Sequence, residues 1–468
     1  MLITPTNVTF ILRALVGVFL HLLHGKERIS LKNFIEDRAL QVRSYAKRWI
    51  HAGIFADLLK WMLLGGLVGI FTGSASALFL ASLDRATDIR TAHSWMLWLL
   101  PVGGAAVSYL YLKFGKEASK GNNLILEQIH GGKEAAIPFR MAPLVLFGTI
   151  VTHLFGGSAG REGTAVQMGG SLAEWIGKVF RLSPLDRKII LMCGISSGFG
   201  SVFGTPLAGT VFGLEVLVIG LIRYEALIPC FIASFVGDQV TTAWGVHHLQ
   251  YQMGEVPDFS GLLLLKVVFA SILFGLAGLF FSVLTHRLKA LFTKVFKNPV
   301  IKSFCGGFVI IGMVYLFGTR EYLGLGIPLI QQSFSESAAP FAFLLKAIFT
   351  SVTLGAGFQG GEVTPLFAIG STLGSSLAQL LHLSVPFLAA IGFISVFSGA
   401  TNTPIACFIM GIELFGAEGA VYLFIGCMIS YLFSGHTGIY AAQRIGVSKS
   451  RSIVIEENAT LGSMHIKK

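Results

Sequence analysis

The sequence predicts an all-α polytopic membrane protein made of two inverted-topology helical repeats with broken helices, and three observations carry that prediction. Of its 468 residues, 53% are hydrophobic and only 13% charged, and the mean hydropathy is +0.73, values of a chain that lives in lipid. Gly160-Arg-Glu-Gly-Thr164 returns as Gly360-Gly-Glu-Val-Thr364, an offset of 200, and Gly204-Thr-Pro-Leu-Ala-Gly-Thr-Val-Phe-Gly-Leu-Glu215 returns as Asn402-Thr-Pro-Ile-Ala-Cys-Phe-Ile-Met-Gly-Ile-Glu413, an offset of 198. Many of the 56 glycines fall inside apolar runs, which suits close helix packing and interrupted helices in a bilayer.

About ten to twelve apolar segments are long enough to cross or enter a membrane, among them Leu58 to Leu83, Trp95 to Leu112, Ile189 to Leu221 and Leu262 to Leu284. Residues 1 to 56 differ. A short apolar stretch, Phe10 to Leu23, is interrupted by Arg13 and followed by a mixed-charge run to Trp49, which reads as an interfacial helical arm. A signal peptide is the competing reading, but no small-x-small cleavage site follows. The repeats then occupy 57–242 and 259–442, and 443–468 is a short tail.

The net charge of +11 would suit nucleic acid, yet the Lys and Arg residues lie mostly in short loops, so no nucleic-acid partner is expected. Basic loops occur at Lys26 to Arg48, Lys178 to Lys188, Arg287 to Lys302 and Arg444 to Arg451, whereas Gly245 to Ser260 and Gly324 to Ala339 contain no Lys or Arg. The basic set is expected on the cytoplasmic side of the cell (inner) membrane, with both termini. The first repeat therefore starts inside and the second outside, which inverts them. Cys193, Cys230, Cys305, Cys407 and Cys427 lie in apolar segments without a C-x-x-C pair, so no metal, cofactor or disulfide role is expected.

Inverted repeats with glycine interruptions at matching positions place a binding site where the interruptions meet. In Gly156 to Gly170 an acid, Glu162, follows a glycine-rich turn and precedes a helix read over Thr164 to Ile176. A carboxylate at membrane depth is a functional hypothesis by default; a surface acid complementing a helix dipole is the competing reading. Three further stretches converge with it: Gly121-Asn-Asn-Leu124, Gly360-Gly-Glu-Val-Thr-Pro365 with Thr364 as a cap, and Gly438-Ile-Tyr440. Helix starts after glycine present backbone N–H groups to an anion, and Tyr440 adds a hydroxyl donor. The broken helices are thus expected to meet at a midplane anion site.

These residues resemble the CLC family of anion channels and proton-coupled antiporters over nearly all of Asp57 to Arg444. The resemblance is carried by Gly160-Arg-Glu-Gly163, the G-T-P and N-T-P turns, Gly360 to Pro365, and Tyr440. It implies that Glu162 is the gating, proton-carrying glutamate and that Tyr440 coordinates the anion. Gly160, Arg161, Gly163, Gly361, Val363 and Thr364 would line the anion position. It also implies a homodimer in the lipid bilayer.

Three departures point to one branch. An asparagine, Asn122 or Asn123, stands where most of the family has a serine, and Asn123 is taken as the donor to the anion. A second acid, Glu362, enters the anion pathway. Of the paired glutamates that follow the G-x-P-L-A-G turn in chloride/proton antiporters, only Glu215 matches, the other position being Val216. This combination resembles CLC-F, the fluoride/proton antiporters. Fluoride is small, strongly hydrated and a strong hydrogen-bond acceptor, so convergent donors suit it, and two acids near one path raise each other's proton affinity. The expected function is therefore proton-coupled fluoride export; the alternative is a chloride/proton antiporter or a voltage-gated-type chloride channel.

Other signals have plainer readings. Glu215 and Glu413 are expected to satisfy backbone or Arg partners, and His153 to be hydrogen-bonded structure. Arg161 either attracts anions or pairs with an acid, and Asn122 could cap the next helix. Gly156-Gly-Ser-Ala-Gly160 formally fits G-x-S-x-G, but it lies between apolar helices and not on a strand-to-helix elbow, so no catalytic residue is expected. Only 28 residues follow Tyr440, so the cytoplasmic nucleotide-sensing domains that some relatives append are not expected.

Overall fold

The computed structural model describes residues 28–131, 137–450 and 459–464, with side chains from residue 51 onward. It is mainly helical: α1 (Arg28–Ala92), a tight turn Ser94–Leu99, α2 (Leu100–Leu110), α3 (Asn122–Ile129), α4 (Met141–Leu154), α5 (Glu162–Val179), α6 (Pro184–Phe203), α7 (Pro206–Glu215) and α8 (Leu227–Ala243). The second half holds α9 (Gly261–Val295), α10 (Pro299–Phe317), α11 (Ile327–Ser335), α12 (Ala342–Gly355), α13 (Val363–Leu381), α14 (Val385–Thr401), α15 (Pro404–Phe415) and α16 (Ala420–Phe433). The strands β1 (Val218–Ile219) and β2 (Arg444–Ile445) pair in parallel.

The chain divides after Lys60 into two units. The expected interfacial arm falls partly outside the described residues, at 1–27; residues 28–56 belong to α1 and show no break at Asp57. The remainder of this description concerns Trp61–Lys468.

Five helical stretches among the described residues are long and apolar enough to cross a membrane: His51–Ala92, Ser94–Ile129, Tyr224–Ala243, Gly261–Val295 and Pro299–Phe317. Others, such as Met141–Leu154 and Pro404–Phe415, are apolar but short. Short apolar helices are stable at membrane depth only where protein buries their ends, because lipid cannot satisfy the free N–H and C=O groups. The apolar run Ile189 to Leu221 shows how the breaks arise. Gly204, at φ +71°, ends α6 in the left-handed region and Pro206 opens α7; in the second repeat Asn402, at φ +59°, and Pro404 do the same between α14 and α15.

The repeats agree element by element. Helix starts α4/α12, α5/α13 and α6/α14 are each 201 residues apart and α7/α15 are 198 apart. Helix α5 packs on α6 as α13 packs on α14, and α6 on α8 as α14 on α16. These contacts are close because glycines face each other: a Cβ at Gly169 would collide with the Gly194 carbonyl, and one at Gly370 with the Gly392 carbonyl.

Two-fold symmetry is visible in single hydrogen bonds. Glu215, the last residue of α7, accepts from the N–H groups of Ile405 (3.1 Å) and Ala406 (2.8 Å) in the first turn of α15. Glu413 in α15 accepts from Leu207 (2.9 Å) and Ala208 (2.8 Å) in the first turn of α7. Each carboxylate satisfies orphan donors of the other repeat and faces the positive end of its helix. This matches the structural reading of both acids. Glu215→Gln keeps the shape but removes the charge and one acceptor oxygen, so it is expected to cost about 1–3 kcal/mol of stability. A thermal unfolding midpoint equal to that of the parent protein would refute this role.

Candidate functional site

Two glycine turns bring the broken helices together. Gly160 donates its N–H to the Gly361 carbonyl (2.6 Å) and Gly361 returns the bond to Gly160 (2.7 Å), an antiparallel bridge between equivalent segments as a two-fold axis requires. A Cβ on Gly361 would lie 2.8 Å from the Gly163 nitrogen, so this approach needs glycine. The starts of α5 and α13 are thereby locked face to face, and both point free N–H groups at the same region.

Glu162 is fully buried at the first position of α5, two residues earlier than the helix read from sequence. Its carboxylate crosses to the other repeat. Oε2 accepts from the Thr364 backbone N–H (2.9 Å) and from the Arg161 N–H (3.2 Å), and the Thr364 hydroxyl donates to Oε1. The Arg161 guanidinium stands 3.6 Å away, its Nε otherwise without a hydrogen bond. Every neighbour is a donor, so this position suits an anion, and the carboxylate occupies it. Thr364 differs from its expected role as a cap. It lies inside α13, whose cap position is Glu362 without a side-chain cap bond, and its hydroxyl is turned to Glu162.

Glu362, half-buried, faces a different space. With Tyr440, Asn122, Asn123, Gly360 and Gln167 it lines a cavity of about 500 Å³ whose outer wall carries Lys116, Lys120, Lys289 and Lys302. Tyr440 is buried and sets its ring edge-on to Phe212, centroids 6.5 Å apart. Val363 and Thr364 are buried behind Glu362. One cavity therefore joins the second acid, the tyrosine and the asparagines, while Glu162 is held just beyond them.

The two asparagines have different surroundings. The Oδ1 of Asn123 accepts from the Ala442 N–H (3.0 Å), two residues past Tyr440, and so holds the tyrosine loop. Asn122 lies beside Gly163 and its buried Oδ1 has no hydrogen-bond partner; it shares a second small cavity with Tyr440, Phe212 and Val216. Consecutive helical residues point about 100° apart, so the chain cannot aim both alike: Asn123 spends its Oδ1 acceptor on Ala442, a bond that does not use its N–H2 donors, while the unpartnered atom of Asn122 is an acceptor oxygen. Asn122 is no cap either, since the cap position of α3 is Gly121. At Val216 the backbone carbonyl, not an acid, is the polar group, and it accepts from the Gln443 amide (3.0 Å).

One residue escaped the sequence reading. Lys346, fully buried in α12, donates to the Ser158 hydroxyl (3.0 Å) and to the carbonyls of Tyr322 (3.1 Å) and Gly324 (2.8 Å), which pins the loop leading to Glu162. Its signal was a lone lysine inside the apolar run from Phe341 to Phe349. Ser158 also pairs with Thr350 (2.9 Å), and the His153 ring lies between the carbonyls of Thr149 and Ala159. The G-x-S-x-G stretch thus forms no Ser–His pair.

Known proteins resemble this chain in sequence and in fold. A family profile described as "Voltage gated chloride channel" matches residues 103–435. The chain is 54% identical over 406 residues, covering 86% of its length and 90% of the relative's, to a "Chloride/fluoride channel protein" of Pseudomonas syringae pv. tomato. It is 25% identical over 389 residues, 76% of this chain and 81% of the other, to an "H(+)/Cl(-) exchange transporter ClcA" of Salmonella paratyphi B. Among solved structures, that of a CLC-type fluoride/proton antiporter superposes with a TM-score of 0.81 at 35% identity, covering 84% of this chain and 99% of that one. That of a slow cyanobacterial Cl-/H+ antiporter gives 0.69 at 20% identity, covering 80% and 94%, a likeness of fold alone.

Proposed function

The chain belongs to the voltage gated chloride channel family, and from that premise we propose that it is a proton-coupled fluoride exporter, an F-/H+ antiporter of the CLC type. The observation that carries this reading is the division of labour between two acids. Glu162 sits on the donors of the other repeat, where a permeating anion would compete with it, and Glu362 opens on the cavity with Asn122 and Tyr440. On protonation Glu162 no longer offers two charged acceptor oxygens to Thr364 and Arg161, and it yields that position to fluoride. The anion is then held by the N–H groups of Gly163, Val363 and Thr364, the Thr364 hydroxyl, the Arg161 guanidinium and the Tyr440 hydroxyl, with Gly160 and Gly361, whose N–H groups bond each other, framing the position. Asn123, whose Oδ1 accepts from Ala442, extends this donor set into the cavity with its amide N–H2.

Fluoride is favoured over chloride because a strongly hydrated ion exchanges water only for equally strong donors, and a protonated Glu162 or Glu362 can itself donate to it. The substitution of an acid by Val216 supports a proton route that runs through the anion pathway and not beside it. The lysines around the cavity support reading it as the cytoplasmic vestibule and, with the basic loops, support cytoplasmic termini in a cell (inner) membrane. Family membership supports a homodimer with one pathway per subunit.

The test is ion efflux from liposomes holding the purified protein, read with fluoride, chloride and pH electrodes in one chamber. Fluoride release far above chloride, with uphill proton movement, is the expected result. Comparable chloride flux would transfer the assignment to the chloride-transporting alternative.

A further inference from the structure

The pathway is open on one side of Glu162 and shut on the other. Toward the lysines lies the cavity of about 500 Å³. On the opposite side, beyond Arg161 and Thr364, the space shrinks to a cavity of about 20 Å³, room for about one water. The broken helices form only part of its wall. Besides Arg161, Thr364 and aromatic or aliphatic side chains of the helices, it is lined by Leu249 and Tyr251, which belong to the irregular segment that joins the repeats between α8 and α9.

This segment reaches over the first repeat while anchored on the second. The Tyr251 ring stacks on Phe334, centroids 5.2 Å apart at 26°, and leans on Phe393 at 5.8 Å and 49°. Two residues on, Met253 is buried and its thioether fills the space beside Gly419. Next to it Gly254, at φ +71°, turns the backbone against Pro386. Met253 is buried and Tyr251 only partly so. The tyrosine is held by ring contacts, its hydroxyl makes no hydrogen bond among the described residues, and Leu249 beside it is 40% exposed.

From this placement we propose that Tyr251 is the outer gate of the transport pathway: its ring closes the exit beyond Glu162 and Thr364, and its free hydroxyl donates to the anion that passes when the ring swings aside. The proposal rests on the transport reading above. A hydrated fluoride does not fit a space of one water, so outward release requires a moving part. The helix starts are locked by the Gly160–Gly361 bridge, which leaves the partly buried ring as the part that moves. By closing one mouth while the other is open, the ring keeps Glu162 from facing both solutions at once, the condition for coupled exchange.

The experiment compares the parent protein with Tyr251→Ala and Tyr251→Phe in liposomes, reading fluoride and protons together. Tyr251→Ala is expected to raise fluoride efflux by about threefold or more, because gate opening no longer limits it, and to lower the protons moved per fluoride by at least half. Tyr251→Phe keeps the ring and is expected to keep the coupling ratio while slowing efflux through the lost hydroxyl. Parent-like rate and coupling in Tyr251→Ala would overturn the gate, as would abolished flux in a monodisperse preparation. If that variant does not fold, Tyr251→Cys treated with a bulky thiol reagent gives the second reading. Efflux that drops on modification, with the parent's own cysteines as control, supports the gate, and unchanged efflux overturns it. A parent protein that moves no fluoride would instead refute the transport reading.

Discussion

Glu162→Gln moves fluoride without protons. In liposomes the variant is expected to release fluoride down its gradient while proton flux falls to the level of protein-free vesicles. The reason is in the bonding of the side chain. Glu162 is a buried acid on the pathway with all its contacts made to donors, one from its own turn and two from Thr364 across the repeat boundary. Its carboxylate and a permeating anion compete for the same N–H and O–H groups, so its charge and the anion's occupancy are coupled. A glutamine keeps the size but cannot titrate, and without the negative charge it holds the Thr364 N–H and the Arg161 guanidinium more weakly than an anion does. The side chain then leaves this position, the anion path stays open, and no proton is carried. Proton movement that persisted in step with fluoride would falsify the assigned role.

Glu362→Gln is expected to act differently, by slowing the anion. Glu362 stands at the head of α13, facing the cavity with Asn122 and Tyr440. Replacing it leaves Glu162 bonded to Thr364 but removes a carboxyl whose protonated form donates to fluoride in its last dehydration step. The loss of one charge-assisted hydrogen bond, about 1.5–3 kcal/mol, corresponds to a turnover lower by about 10- to 100-fold. The measurement is initial fluoride efflux per protein, with proton coupling read on the residual flux. Turnover equal to the parent's would make Glu362 merely structural, and equal losses of fluoride and chloride flux would remove it from selectivity.

Much of this protein was readable from its residues in order. Composition and apolar run lengths settle the membrane class, because a charged side chain cannot be hidden in lipid without a partner. The recurrence of a glycine-framed acid and of a Thr-Pro turn ending in Glu shows that the chain carries one unit twice. Glu162, Thr364 and Tyr440 stand out because glycine, proline and a charged or hydroxylated residue inside apolar runs need a reason to be there. Those inferences use local chemistry and spacing, which a sequence states directly.

Other features depend on which residues meet across about two hundred positions. Thr364 reads as a cap until the approach of Gly361 to Gly160 turns its hydroxyl onto Glu162. Glu215 and Glu413 look alike in sequence; their exchange of helix ends exists only once the repeats face each other. Asn122 and Asn123 are indistinguishable as letters, and the Ala442 N–H, more than three hundred residues away, engages the Oδ1 of Asn123 while that of Asn122 has no hydrogen-bond partner. Lys346 on the loop that leads to Glu162, and Tyr251 over the exit, lie far in sequence from the residues they serve. Backbone donors and buried charges must be satisfied by whatever the fold brings near, so the identity of a site's residues is local while their roles are set by long-range pairing.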